Sequence, residues 1–262
     1  MLAWKPRRKK REEPGGSLEE AGKIGTSAEE GHEGEENKEP LLVVQGVERS
    51  FDVGSQKLRV LKGIDLKLYP QQLIMLKGRS GSGKTTLMNL MGGLDTPSQG
   101  QIWFRGQPFH EWDDDKRTSV RRKDIGFIFQ AYALMPLLSA YENVELSMRM
   151  AGIPRSEWKA RATSCLELVG LGKRMHHRPS EMSGGEQQRV AIAKAIAHKP
   201  SLLLADEPTA ELDSQMAAQV MAVFREIVAT EKISICMTTH DTTIMEVADH
   251  VYEMVDGVFA QG

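Results

Sequence analysis

The stretch Gly78 to Thr86 reads G-R-S-G-S-G-K-T-T and fits the pattern G-x-x-x-x-G-K-[ST]. Its residue types suit one task, the holding of phosphate. Gly78, Gly81 and Gly83 lack a Cβ, so the loop can curl with its N–H groups pointing inward, past Ser80 and Ser82. Lys84 has the reach and charge for β- and γ-phosphates. Thr85 offers a hydroxyl to Mg²⁺, Thr86 follows it, and the N-terminus of a succeeding helix adds the positive end of its dipole. The loop implies a nucleotide and leaves open what that nucleotide is spent on.

Four further stretches narrow the chemistry. Asp206 and Glu207 close an apolar run, Leu202-Leu203-Leu204-Ala205, where the first carboxylate can hold Mg²⁺ through water and the second can orient and deprotonate an attacking water. Met182 to Arg189 is a serine–glycine turn opening a helix, and the N–H groups of Gly184, Gly185 and Glu186 with the Ser183 hydroxyl again suit phosphate. His240 ends a strand and can contact a γ-phosphate. Gln130 ends another and can reach both Mg²⁺ and the attacking water. Singly these are weak signals, since an Asp-Glu pair or a histidine after a strand is commonly structural. Their joint occurrence in this order removes coincidence.

These residues need a sheet to align them. Leu73 to Leu76 is an apolar strand before the glycine loop, and Leu87 to Met91 continues as helix, so the loop has a strand–loop–helix setting. Ile125 to Phe129, Ser201 to Ala205 and Ile233 to Met237 are further buried strands, with an amphipathic helix over Gln215 to Thr230. Upstream, Leu41 to Val47, Lys57 to Leu61 and the alternating Ile64 to Leu68 predict three strands of an antiparallel layer, with a turn at Asp52 to Ser55 and a further strand over Gly100 to Gly106. Asp113 to Arg122 predicts a helix whose acidic start and basic end suit its dipole, which argues against reading Asp113, Asp114 and Asp115 as a metal site. Ala131 to Pro200 is helical with breaks at Pro136, Gly152 to Pro154, Gly170 to Gly172 and Pro179. The economical fold is α/β, a parallel sheet with crossover helices.

Composition sets the boundaries. The chain has 262 residues, 40% of them hydrophobic, enough for a full core. Residues 1–40 differ: a basic block, Lys5, Arg7, Arg8, Lys9, Lys10 and Arg11, precedes a Glu/Gly-rich stretch poor in aliphatic residues, predicting a disordered tail whose basic block is either simply solvated, the favoured reading, or a contact for anionic lipid headgroups. Residues 41–262 form the folded domain, with a core over 41–130 and 200–262 and a helical lobe over 131–199. A formal charge of −2 gives no bias toward nucleic acid. Cys165 and Cys236 read as small apolar side chains in a reducing compartment, and no run reaches the roughly 18–20 apolar residues of a membrane helix. The expected setting is the cytosol.

From Leu41 onward the chain resembles the ATP-binding cassette of ABC transporters. Gly78–Thr86 matches the Walker A motif, Gln130 the Q-loop, Ser183–Arg189 the signature, Leu202–Glu207 Walker B, Ala210–Asp213 the D-loop and His240 the switch histidine. The resemblance implies a P-loop NTPase with a RecA-like parallel-sheet core, an antiparallel β layer and an inserted helical lobe. It also implies an adenine-stacking role for Phe51, a contact to nucleotide through Asp213, and Mg²⁺ at Thr85, Gln130 and Asp206. Hydrolysis of ATP would rest on Glu207, His240 and Gln130. Two such subunits, a homodimer or heterodimer, would close head to tail on two ATPs, the signature of one facing Walker A of the other. Arg79, Glu186 and Glu211 depart from common family residues at tolerant positions.

Ala131 to Leu146 is similar to the corresponding segment of the lipoprotein-release and macrolide-efflux branch. That branch implies a separate integral-membrane permease, docked at a groove formed by Leu134, Met135, Leu137, Leu138 and Tyr141 on the cytoplasmic face of the membrane. Solute import, or soluble work in translation or DNA repair, are the competing readings. The chain has one cassette and no long coiled-coil interruption, which disfavours the soluble classes.

Overall fold

The computed structural model describes residues 39–241 and 243–260. The basic block and acidic stretch of the N-terminal tail lie outside the described residues. Two sheets are built in chain order. β1 (Leu42–Val53) and β2 (Gln56–Leu68) form a long hairpin, followed by β3 (Leu73–Lys77), α1 (Lys84–Met91), β4 (Gln99–Phe104) and β5 (Gln107–Pro108). Next come α2 (Asp114–Lys123), β6 (Ile125–Ile128), α3 (Ala140–Ala151), α4 (Arg155–Leu168) and α5 (Gly184–Ile196). The chain closes with β7 (Leu202–Ala205), α6 (Ser214–Glu231), β8 (Ser234–Thr239), β9 (His250–Val255) and β10 (Val258–Phe259).

The first sheet is antiparallel, in the order β2-β1-β4-β5. The second has the order β10-β9-β3-β8-β7-β6, with β9, β3, β8, β7 and β6 parallel and β10 turned back along β9. The expected antiparallel layer and parallel core are both present. Two details differ from the sequence reading. Lys57 to Leu61 and Ile64 to Leu68 are one strand, because the pairing with β1 continues through register shifts opposite Val47 and Arg49. The expected turn shortens to Gly54-Ser55, since Asp52 and Val53 still pair with Lys57 and Gln56.

β3, β6 and β7 are buried and apolar on both faces, which is why they read as continuous runs, whereas β9 at the other side of β3 is largely exposed. Leu73 and Met75 of β3 join one cluster with Leu203 and Ala205 of β7, Ile235 of β8, and the buried faces of α3, α4, α5 and α6. Ile74 and Leu76 point the opposite way, into a cluster with Leu202, Leu204, α1 and the inner face of the antiparallel sheet. Each fully buried Leu or Ile contributes about 1.5–3 kcal/mol, so this two-sided burial dominates the placement of the strands.

α2 starts one residue after Asp113, whose carboxylate caps it by accepting from the Lys116 N–H at 2.8 Å. The acidic triplet is therefore a helix start. Cys165 and Cys236 are buried free thiols, and burial pushes Cys165 up to about 11 and Cys236 further upward. Among the described residues, no helix is long and apolar enough to cross a membrane.

Candidate active site

The glycine-rich loop leaves β3 at Gly78. Gln130 follows β6, Asp206 follows β7 and His240 follows β8. They converge because the strands end level: Ile128 pairs with Ala205, Ala205 with Met237, and Lys77 with Thr239. Open α/β sheets bind ligands at this carboxyl edge. A cavity of about 870 Å³ opens there, lined on the loop side by Arg79, Ser80, Gly81, Gly83, Lys84, Thr85 and Thr86. Gln130, Asp206, Glu207 and His240 line it from the other strand ends, so every expected catalytic and metal residue meets in one place.

The loop's shape excludes side chains at two points. Gly83 has φ +106°, and an added Cβ would lie 2.8 Å from Leu61 Cδ2. At Gly78 an added Cβ would lie 2.4 Å from the Met254 carbonyl oxygen, a backbone atom with no room to retreat. Ser82 is buried beneath the loop, its Oγ without a hydrogen-bond partner and outside the cavity lining. α1 carries no acidic residue in its first turn, whereas α2, α3 and α5 each do. Its positive end therefore stays uncompensated by its own helix, as an anion site requires.

Lys84 is nearly buried. Its Nζ donates to the carbonyls of Gly78 at 2.8 Å and Arg79 at 3.2 Å, and lies 3.9 Å from Glu207 Oε1. A phosphate oxygen is a stronger acceptor than either carbonyl. Glu207 Oε2 lies 3.4 Å from His240 Nδ1, with His240 largely exposed. The carboxylate thus stands between lysine and imidazole. Glu207 takes φ +47°, a left-handed conformation that is strained for a residue with a Cβ, and its N–H donates to Thr238 Oγ1 at 2.8 Å.

Thr85 Oγ1 donates to Asp206 Oδ2 at 2.9 Å. A hydroxyl and a carboxylate, with the Gln130 amide lining the same cavity, are hard oxygen donors that fit Mg²⁺, which takes one or two carboxylates and completes its shell with water and phosphate. Among the described residues, no group of three His, Cys, Asp or Glu could hold a metal ion.

The second phosphate-suited turn lies elsewhere. Ser183 caps α5 in a reciprocal box: its Oγ accepts from Glu186 N–H at 3.3 Å, and Glu186 Oε2 accepts from Ser183 N–H at 2.9 Å. Gly184 follows it on the surface. Gly185 is buried against Met216 of α6, where a Cβ would meet Sδ at 2.7 Å. Asp213 caps α6 by accepting from Met216 N–H at 2.9 Å. None of Ser183, Gly184, Gly185, Glu186 and Asp213 lines the cavity. Phe51 does not line it either. Its ring lies 4.5 Å below the Arg49 guanidinium, which is held bidentately by Asp95, while its cross-strand partner Leu58 lines the cavity with Val60.

Between these regions runs the segment after Gln130. Tyr132 and Ala133 both have left-handed φ, +53° and +50°, and the Ala133 carbonyl accepts from Lys194 Nζ of α5 at 2.6 Å. Burial raises the pKa of the Tyr132 hydroxyl, and its hydrogen bond with Glu211 raises it further. The buried side chain of Asn143 then pins the segment, donating to the carbonyls of Met135, Leu138 and Ser139 and accepting from Met135 N–H. Leu134 and Tyr141 pack on the cluster shared by the parallel sheet and α3 to α6, whereas Met135 and Leu137 are exposed, Leu137 at 80%.

The family model described as "ABC transporter" matches residues 61–210. The chain belongs to this family. It is an ABC transporter ATPase domain. The cassette is 45% identical over 220 residues to the macrolide export ATP-binding/permease protein MacB of Wolinella succinogenes, covering 84% of the chain and 34% of MacB. It is 38% identical over 219 residues to the lipoprotein-releasing system ATP-binding protein LolD of Saccharophagus degradans, covering 84% of the chain and 96% of LolD. Among solved structures, the cassette MJ0796, a dimer in a post-hydrolysis state bound to ADP and Pi, superposes with a TM-score of 0.77 at 33% identity, covering 84% of this chain and 97% of that one. The cassette thus spans about a third of the length of its MacB relatives.

The motif reading missed Thr238, Leu58 and Val60. Thr238 reads as one more β-branched strand former, and Leu58 and Val60 as ordinary strand residues. Periodicity cannot say which exposed strand residues border a cavity.

Proposed function

We propose that the cassette binds ATP with Mg²⁺ in the cavity at the strand ends, pairs with a second ATP-binding subunit, and energises a separate membrane-spanning permease. The permease type is lipoprotein, peptide or macrolide export, or mechanotransmission. The observation that carries this reading is the placing of the Glu207 carboxylate between Lys84 and His240 at the mouth of the phosphate loop.

In this reading Lys84 exchanges its carbonyl partners for β- and γ-phosphate oxygens, and the loop N–H groups hold the chain in line. Thr85 and Asp206, with Gln130, would hold Mg²⁺, which when bound offsets negative charge on the phosphate oxygens. Glu207 orients the attacking water and takes its proton as the water oxygen bonds to γ-phosphorus and the bond to the β-phosphate bridge breaks. His240, 3.4 Å from Glu207, contacts the γ-phosphate. Phe51 stacks on the adenine beside Leu58.

Ser183, Gly184, Gly185, Glu186 and Asp213 lie outside the cavity of their own subunit, which supports a role at the nucleotide of a second copy. ATP then closes the pair and hydrolysis releases it. Met135 and Leu137, exposed on a segment anchored by Asn143, would meet the permease at the cytoplasmic face of the membrane, and the movement reaches them from Gln130 along the same segment. The basic N-terminal block would add contact with anionic headgroups, and no nucleic acid is involved.

The test is Glu207→Gln. The variant should bind ATP with near-unchanged affinity, accumulate as an ATP-bound dimer, and lose about a hundredfold or more of turnover. Turnover like that of the unaltered protein would remove Glu207 from the mechanism.

A further inference from the structure

Thr238 is fully buried on β8, between β7 and β3, in a strand whose neighbouring side chains are apolar or small. Its hydroxyl donates to Asp206 Oδ1 at 2.6 Å and accepts from the Glu207 N–H at 2.8 Å. A threonine hydroxyl has one proton and two lone pairs, so the two bonds are compatible and use it in both senses. Asp206 Oδ2 accepts from Thr85 Oγ1 at 2.9 Å, so each oxygen of this carboxylate is held by a different threonine, one from the phosphate loop and one from β8. Glu207 is the residue with φ +47°, and its N–H is the group that Thr238 holds.

We propose that Thr238 is a positioning residue for ATP hydrolysis, its single hydroxyl setting the rotamer of Asp206 and holding the Glu207 backbone in its left-handed turn. This rests on the roles given above to Asp206 and Glu207. The physical case is that a strand interior needs no hydroxyl here. Valine has the same shape and favours strands equally well, so packing alone would be satisfied by it. With valine, Asp206 Oδ1 loses its donor and the Glu207 N–H loses its acceptor, and nothing then opposes relaxation of the strained turn. Relaxation would swing the Glu207 carboxylate away from Lys84 and His240, and Asp206 would be free to turn from Thr85. The hydroxyl therefore acts on geometry at the reacting end of the site while leaving the phosphate loop untouched.

The experiment compares Thr238→Val and Thr238→Ser with the unaltered chain, with Glu207→Gln beside them. Turnover is measured against ATP and against Mg²⁺, and binding of a fluorescent ATP analogue is followed with Mg²⁺ and in EDTA. Thr238→Val should lose about tenfold in kcat, about 1.4 kcal/mol in the barrier, with KM within about twofold. Its half-saturating Mg²⁺ for nucleotide binding should rise several-fold, and binding in EDTA should not change. Thr238→Ser keeps the hydroxyl and should restore both kcat and the Mg²⁺ dependence. The proposal is overturned if Thr238→Val keeps kcat and Mg²⁺ half-saturation within about twofold. It is equally overturned if serine and valine variants lose alike, which would make the methyl packing decisive. If Glu207→Gln itself keeps full turnover, the reading of the site fails first. If Glu207→Gln is inactive while Thr238→Val is normal, the positioning role alone falls.

Discussion

Thr85 and Asp206 lie 121 residues apart in the chain and meet at 2.9 Å, the threonine hydroxyl donating to the carboxylate. Thr85 lies in the first turn of α1, within the glycine-loop motif, and Asp206 follows β7, so the contact joins the loop side of the cavity to the ends of the other strands. In the proposed function their bond marks where Mg²⁺ would be held. Thr85→Ala should leave binding of a fluorescent ATP analogue in EDTA unchanged and abolish most of the gain in affinity that Mg²⁺ brings, about tenfold or more. A titration in which the mutant gains as much from Mg²⁺ as the unaltered chain would contradict this placement.

The Gly78→Ala substitution tests how tightly the loop is seated. An added Cβ would stand 2.4 Å from the Met254 carbonyl oxygen and 2.7 Å from Ser82 Oγ. The first is backbone of β9, itself paired to β3, so it cannot move without disturbing the sheet. Overpacking of this kind costs about 1–3 kcal/mol, which thermal or denaturant unfolding should resolve as a lower midpoint together with weakened nucleotide binding.

Acid stability should carry the mark of the α5 capping box. The Ser183 backbone N–H that bonds the Glu186 carboxylate is the main cause of that group's lowered pKa, helped by Arg174 at 2.7 Å. A carboxylate with a depressed folded pKa stabilises the fold above its ordinary value, and that contribution disappears as pH falls through the lowered one. Glu186→Gln should therefore melt below the unaltered chain near neutrality, and the gap should narrow as pH drops from about 5 toward 3. A gap that is constant or widens in acid would show that the carboxylate charge contributes nothing.

Leu137→Asp tests the proposed docking surface apart from the nucleotide site. Leu137 is 80% exposed and lies outside the cavity, so the substitution should leave folding and nucleotide binding of the cassette within about twofold. Co-purification with a membrane permease should fall sharply. Retention of the permease at unaltered yield would place the contact elsewhere.

Much of the fold was legible because burial on two faces writes itself into the chain as uninterrupted apolar runs. Leu73 to Leu76 and Leu202 to Ala205 could hardly be anything but central strands. The hairpin was less legible. Its two runs, Lys57 to Leu61 and Ile64 to Leu68, are one strand, and their continuity depends on cross-strand pairing that local pattern does not record. The residues expected to form a docking groove divide for the same reason. Leu134 and Tyr141 pack inward while Met135 and Leu137 stay exposed, and the buried Asn143 amide that imposes this lies several residues away.

The sequence by itself determined the chemistry. Phosphate demands loops without Cβ atoms, a lysine and a hydroxyl at set spacing, and water activation demands a carboxylate at the end of a buried strand, so the residues that can do the work are marked by type and local setting. Tertiary structure alone decided how they are held. Strand register brings Gln130, Asp206 and His240 level with the loop, whereas Ser183, Gly185 and Asp213, at the starts of α5 and α6, lie outside that cavity. It also gives Thr238 its two bonds. Hydrogen bonds between distant segments depend on ångström-scale distances set by the whole fold, and a residue's identity carries no record of them.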